Sequence, residues 1–262
     1  MKIATWNINS VRLRIANVER YLAEVQPDVL CLQETKTVDD TFPLAAFEAL
    51  GYTHRLIHGM KGYNGVAIVA RVPVEVVETR DWYGLSDRRH AAVRLANGVE
   101  LHNFYVPAGG DIADPVENPK FAHKLGFLDE VTAHFAARAH DGIEKIIVGD
   151  LNIAPLETDV WSHKQLLDVV SHTPIEVEKL DGWRDRGGFV DAVRKIIPPE
   201  QTLYSWWSYR AKDWDAADRG RRLDHVWATH GVAAAVTDAE ISRAARGWVQ
   251  PSDHVPVTIT LG

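Results

Sequence analysis

Hydrophobic runs in this chain repeatedly stop on a residue able to bind a cation or move a proton. Asn7 follows Ile3-Ala4-Thr5-Trp6, Glu34 follows Val29-Leu30-Cys31-Leu32, and Asp150 and Asn152 follow Ile146-Ile147-Val148. Asp224 opens another run, and Ser252-Asp253-His254 precedes an apolar tail. An ionised carboxylate at the end of a core strand loses hydration worth several kcal/mol, roughly, unless a partner or a metal compensates it. The recurrence therefore points to one shared counter-charge, most simply a divalent cation beside an anionic substrate. Glu34 is a hard oxygen ligand suited to Mg²⁺, which takes one or two protein carboxylates and fills its other positions with water or phosphate oxygens. In Ser252-Asp253-His254, the backbone at a strand entry is expected to bring Asp253 under the imidazole, fix the ring and favour imidazolium.

Other chemistries fit less well. A single cysteine, Cys31, rules out a cysteine-histidine zinc cluster, and it reads as a small buried hydrophobe rather than a reactive thiol. No His-Glu-x-x-His helix occurs among the 12 histidines, and neither a Gly-x-Ser-x-Gly elbow nor a Gly-x-x-x-x-Gly-Lys loop is present. Metal-assisted phosphoester hydrolysis remains.

These residues need elements to hold them. Strand-like runs fall at 2–8, 28–34, 52–58, 65–71, 74–79, 91–106 with a turn at Asn97-Gly98, 144–150, 223–229 and 254–261. Helical periodicity fits Arg12 to Val25 and Pro119 to Ala139, where Phe121, Leu125, Leu128, Val131, Thr132 and Phe135 share a face; shorter pieces fall within 161–195. With no repeat and no linker-like stretch, the expectation is one domain, 1–262, built as an α/β sandwich of stacked sheets covered by helices.

The N-terminus opens directly on a strand pattern and no run reaches the roughly 18 apolar residues of a membrane helix, so a cytoplasmic location is the default expectation. A net charge of -7 argues against a polyanion wrapped over the whole surface. Cations cluster locally, at Arg210, Lys212, Arg219, Arg221 and Arg222 behind Trp206, Trp207 and Tyr209, at Arg12 and Arg14, and at Arg88 and Arg89. Adjacent residues on an extended segment face opposite ways, so one of Trp206 and Trp207 is free to meet a ligand while the other is buried.

The ordered set Trp6-Asn7-Ile8-Asn9, Leu32-Gln33-Glu34-Thr35-Lys36, Asn103-Phe104-Tyr105-Val106-Pro107, Gly149-Asp150-Leu151-Asn152, Arg222-Leu223-Asp224-His225 and Ser252-Asp253-His254-Val255-Pro256 resembles the bacterial exonuclease III / AP endonuclease family. That family sits within the endonuclease/exonuclease/phosphatase superfamily, and the resemblance covers nearly the whole chain. It implies a four-layered, DNase I-like α/β sandwich: two packed mixed β-sheets flanked by helices. It further implies an Mg²⁺-dependent (or Mn²⁺-dependent) DNA repair nuclease, acting 5′ to abasic sites, as a 3′–5′ exonuclease, or both, as a monomer on double-stranded DNA. By the same resemblance, Glu34 binds the metal with Asn7 beside it, and Asp150, Asn152, Asp253 and His254 complete the metal and catalytic set. Asp150 activates water, Asn152 donates to the phosphate, His254 oriented by Asp253 offsets charge on phosphorus, Tyr105 contacts the phosphate near the leaving oxygen, and Asp224 supports the site. Asn9, Lys36, Arg210 and Arg221 are expected to meet DNA, and Trp206 and Leu223 to line a pocket for a flipped abasic sugar.

The chain departs from the family pattern twice. Ala108 with Gly109-Gly110-Asp111 stands where many relatives have Asn or Gln, and Arg221 stands where some eukaryotic relatives have a pocket tryptophan. The alternatives outside this reading are a phosphatase or sphingomyelinase-like phosphoesterase of the same superfamily, and a non-catalytic DNA-binding module.

Overall fold

A computed structural model describes residues 1–262. Its strands are β1 Lys2–Asn7, β2 Val29–Gln33, β3 His54–His58, β4 Val66–Ala70, β5 Val74–Thr79, β6 His90–Leu95, β7 Glu100–Tyr105, β8 Lys145–Asp150, β9 Phe189–Asp191, β10 Trp206–Trp207, β11 Gly220–Arg221, β12 Asp224–Thr229, β13 Val236–Ile241 and β14 Val257–Leu261. Its α-helices are α1 Ile15–Val25, α2 Leu44–Glu48, α3 Pro119–Ala137, α4 His163–Leu166, α5 Pro174–Arg186, α6 Ala192–Ile196, α7 Trp214–Ala217 and α8 His230–Ala234.

Two six-stranded sheets form, in the orders β13-β14-β1-β2-β4-β3 and β5-β6-β7-β8-β12-β9, and β10 and β11 pair in a small separate ribbon. Both large sheets are mixed: β1 runs parallel to β2, and β7 to β8, while the remaining neighbours are antiparallel. The central strands β2, β4 and β8 are buried along their whole length, which is why they read as continuous apolar runs rather than alternating ones.

Alternate residues of those runs serve different layers. Ile3, Val29, Cys31, Val66 and Ile68 meet Val93, Leu101, Ile146, Val148 and Val226 between the sheets. Ala4, Leu30, Leu32 and Ala67 pack outward with Val18, Tyr21 and Leu22 of α1 and Phe47 of α2. On the other side, Phe104, Ile147 and Trp227 cluster with Phe127, Leu128 and Val131 of α3 and with Leu180 and Trp183 of α5. The result is the four-layered sandwich that the resemblance implied.

A polar tie lies inside the apolar seam. Gln33 Nε2 donates to Thr5 Oγ1 at 2.9 Å and to Asn103 Oδ1 of the opposite sheet at 2.7 Å, while Asn103 Nδ2 donates back to Leu32 O and Ala67 O, both at 3.0 Å.

The expected long elements are present, with differences at their edges. The Asn97-Gly98 turn joins β6 and β7, with Gly98 at φ +86°. α1 begins at Ile15, three residues later than its apolar pattern suggested, and β14 begins at Val257 because Pro256 cannot donate to a ladder. β13 was not anticipated. It is an edge strand whose exposed Thr237, Asp238 and Glu240 dilute the strand pattern.

Candidate active site

Strand register explains why distant segments converge. Asn7 and Gln33 are Cα partners at the ends of β1 and β2, Tyr105 and Asp150 are partners at the ends of β7 and β8, and Asp224 at the start of β12 faces Asp150. One end of both sheets therefore carries Asn7, Glu34, Tyr105, Asp150 and Asp224. The β8 end depends on Gly149, at φ +139°, where an added Cβ would stand 1.9 Å from Phe104 O. Asn9, Glu34, Lys36 and Asn152 all adopt the left-handed region, at φ +46°, +50°, +53° and +54°. Such conformations cost about 1 to 2 kcal/mol each for residues with a Cβ, and clustered strain of this kind is characteristic of functional sites.

The side chains form two connected arms that meet at Glu34. Along the first, Asn7 Nδ2 donates to Glu34 Oε1 and to Asp150 Oδ2, both at 2.8 Å. Asp150 Oδ2 lies 3.6 Å from His254 Nε2, and His254 Nδ1 lies 2.8 Å from Asp224 Oδ2. Ser205 Oγ fixes Asp224 by donating to Oδ2 at 2.6 Å. Asn152 joins this arm through its backbone amide, which donates to Asp150 Oδ1 at 2.9 Å, and its side chain donates to Val106 O at 2.9 Å and Asp150 Oδ2 at 3.2 Å. Along the second, Lys36 Nζ pairs with Glu34 Oε2 at 2.8 Å and also donates to Asn9 Oδ1. Asn9 Nδ2 donates to Asp253 Oδ1, and Trp206 Nε1 to Asp253 Oδ2, both at 3.0 Å.

This corrects the role expected for Asp253. The imidazole's carboxylate partner is Asp224, thirty residues upstream, because Asp253 turns to the opposite side of the extended chain and is taken by Asn9 and Trp206.

Burial and neighbouring charge set the protonation states. Burial alone would lower the His254 pKa, but the carboxylates of Asp224 and Asp150 overcome it and push the pKa up to about 10, so the ring is a cation at neutral pH. Asp150 is raised by burial, with His254 opposing and Asp224 and Glu34 adding to the rise. That makes it a more basic carboxylate than a solvated aspartate. Tyr105 is raised well above an ordinary phenol, first by burial and then by the charges of Glu34 and Asp150, so it remains a neutral donor. The Arg89 guanidinium lies 4.8 Å from the centre of its ring and donates to Tyr105 O at 3.3 Å.

Beside this network lies a cavity of about 600 Å³ lined by Trp161, Trp206, Arg210, Arg219, Arg221 and Asp111, among others. Trp206 is half-buried and Trp207 is 2% exposed, the division expected of an extended tryptophan pair. Leu223 does not line the cavity; it is buried with Ala154, Val160 and Leu166 behind Trp206. Arg221 is committed to the wall, donating to Val170 O at 3.1 Å and Ser171 Oγ at 2.6 Å, with its guanidinium 5.4 Å from the Trp206 ring centre.

Several contributors escaped the sequence reading. Ser205 and Gln33 are ordinary polar residues whose partners are remote in sequence. Lys124 carried a signal that was overlooked: it is a lysine inside the buried stripe of α3, between Phe121 and Leu125.

The chain matches the Endonuclease/Exonuclease/phosphatase family over residues 4–254. It is 30% identical over 270 residues to the exodeoxyribonuclease III of Haemophilus influenzae, covering 98% of each chain. The solved structure of an AP endonuclease from Archaeoglobus fulgidus superposes with a TM-score of 0.92 at 32% identity, covering 100% of this chain and 99% of that one. A Neisseria enzyme described as a 3′ phosphatase bound to product DNA hairpin superposes with a TM-score of 0.91, also at 32% identity and with the same coverage.

Proposed function

The chain belongs to the endonuclease/exonuclease/phosphatase family, and from that premise we propose that it is an Mg²⁺-dependent DNA repair nuclease, with Mn²⁺ as an alternative ion. In this reading it cleaves duplex DNA 5′ to abasic sites and trims 3′ ends, working as a single-domain monomer in the cytoplasm. No helix is long and apolar enough to cross a membrane. The observation that carries the reading is the Asp224–His254–Asp150–Asn7–Glu34 chain opening beside a cavity of tryptophan and arginine.

The donor set fits a hard divalent cation. Glu34 and Asp150 offer carboxylate oxygens that a single amide, that of Asn7, already draws together, and Asp224 Oδ1 is buried with no protein partner. Glu34, Asp150 and Asn7 would hold the ion; His254, as a cation, has no lone pair free for it, and Asp253 is engaged elsewhere. When bound, the ion supplies Lewis-acid neutralisation of the phosphate.

The remaining work falls to the protein. Attack on a phosphodiester brings a nucleophile toward existing negative charge and expels an alkoxide. Asp150, between Asn7 and His254, takes the proton of the attacking water. His254, held by Asp224, presents positive charge to the phosphoryl oxygens as charge grows there. Both amide hydrogens of Asn152 are in use, and the bond a phosphate oxygen displaces is the longer one, to Asp150. Tyr105, kept neutral, donates to the leaving oxygen. Asn9, Lys36, Trp206 and Arg210 meet the DNA strand, and the cavity wall of Trp206 and Arg221, backed by Leu223, admits a sugar without its base.

A second reading, removal of a 3′-terminal phosphate from DNA, is favoured by the likeness to the Neisseria 3′ phosphatase. The test is to incubate the protein and Mg²⁺ with a duplex bearing one abasic analogue, an undamaged duplex with recessed 3′ ends, a 3′-phosphorylated duplex, and inositol phosphates. Incision or end trimming of the DNA, abolished by EDTA, supports the nuclease reading; turnover of inositol phosphates alone would sink it.

A further inference from the structure

We propose that the buried Lys124–Glu176 ion pair is a positioning device that holds the Asn152 loop, the loop after Tyr105 and the cavity wall in one arrangement. Lys124, on α3, and Glu176, on α5, are both fully buried. Lys124 Nζ has three acceptors, and each belongs to a different segment: the Glu176 carboxylate, Asn152 O at 2.8 Å, and Ala108 O at 3.3 Å. Glu176 in turn accepts from Ser171 N at 2.9 Å and from Thr173 Oγ1 at 2.6 Å, and Ser171 Oγ is what Arg221 grips from the cavity. Gly109, at φ +90°, lets the loop cross the lysine stem, since a Cβ there would stand 2.9 Å from Lys124 Cδ.

The attraction between the two charges does not by itself account for this pair. Replacing a buried ion pair with apolar residues of matching volume is often neutral or stabilising, because both charges must be desolvated. What apolar residues cannot supply is a set of directed donors onto loop carbonyls. Asn152 needs one: it sits at φ +54° with its amide and side chain pulled toward Asp150 and Val106, and Lys124 fixes its carbonyl from beneath. Ala108, where a side-chain donor is missing, has its carbonyl tied to the same ammonium.

The kinetic part of the test rests on the nuclease reading. The double variant Lys124→Met/Glu176→Leu is compared with the unmodified protein in thermal melts, in steady-state DNA cleavage, and by NMR with ¹⁵N-labelled asparagine. The expected result is a melt that stays cooperative at a lowered temperature, because the Asn152 and Ala108 carbonyls, Ser171 N and Thr173 Oγ1 lose their partners, with kcat reduced about tenfold or more and KM within about threefold. The side-chain amide resonances of Asn152 should shift and broaden. Loss of the cooperative melt, kcat within about twofold, or unchanged Asn152 resonances would each overturn the positioning role. If the unmodified protein cleaves no DNA, the nuclease reading fails while the Asn152 resonances still decide this one.

Discussion

Two groups of histidine and carboxylate, buried except for a half-buried Glu78, occur in the protein, and in each the ligand atoms of three residues lie within 4.8 Å of one another. One is Asp150, Asp224 and His254; the other is Glu78, His90 and His102 on strands β5, β6 and β7. Their electrostatics are opposite. In the first, Asp224 and Asp150 hold His254 as a cation. In the second, Glu100 beside His102 is held by Arg94 at 2.9 Å and Arg138 at 2.7 Å. Its carboxyl is driven far below the usual range, first by the hydrogen bond from His102 and then, against burial, by the arginines. Burial pushes both His90 and His102 down, so they stay neutral, and His90 stacks on Phe104 with ring centres 4.2 Å apart. The same residue types thus make a charged cluster where two carboxylates face one imidazole, and a neutral one where burial outweighs the carboxylates nearby.

The comparison breaks most readily at His254. Replacing it with alanine should lower the cleavage rate constant by about a thousandfold or more, whereas His102→Leu should leave it within about threefold, as measured by single-turnover cleavage of an abasic duplex. Equal losses would mean that the two groups are not distinguished by charge. Next in size is the contrast between Asp224 and Asp253. Asp224→Asn, which removes the imidazole's carboxylate, should cost about a hundredfold or more in kcat, and Asp253→Asn only about tenfold. The reverse order would restore the partner first expected for His254.

Smaller effects sharpen the same contrast. In the metal-free protein, ¹⁵N NMR should find His254 doubly protonated from pH 6 up to at least pH 8, since its pKa is pushed up to about 10, while His90 and His102 show neutral shifts at pH 7. A neutral His254 at pH 7 would overturn the charge assignment. The depressed histidines should also make the fold acid-sensitive. Below their ordinary value of 6.5 the unfolded chain takes up protons that the folded chain refuses, so stability is full above that pH and falls as pH drops. His90→Leu/His102→Leu should flatten the decline in melting temperature between pH 7 and pH 5, and an unchanged slope would count against this origin.

Much of this architecture was legible because long elements write periodic patterns. The runs of β1, β2 and β8, ending on Asn7, Glu34 and Asp150, and the run of β12, opening on Asp224, disclosed both the strands and the convergence of their ends. What was not legible depended on side-chain direction and on partners far apart in sequence. Nothing local distinguishes Asp224 from Asp253 as the partner of His254; only the antiparallel pairing of β12 with β8 does so. Ser205 reaches Asp224 across 19 positions, and Lys124 reaches Glu176 across 52. The short strands β9, β10 and β11 span too few residues to show a period.

Glu34 and Asn7 hang from one sheet, and Tyr105, Asp150 and Asp224 from the other, so any relative slip of the two layers pulls the reacting groups apart before either layer loses a single ladder bond. The amide clasp between Gln33 and Asn103 is the polar link across that seam directly behind Glu34. Gentle warming would then silence the enzyme by shear, at temperatures where its secondary structure still looks intact.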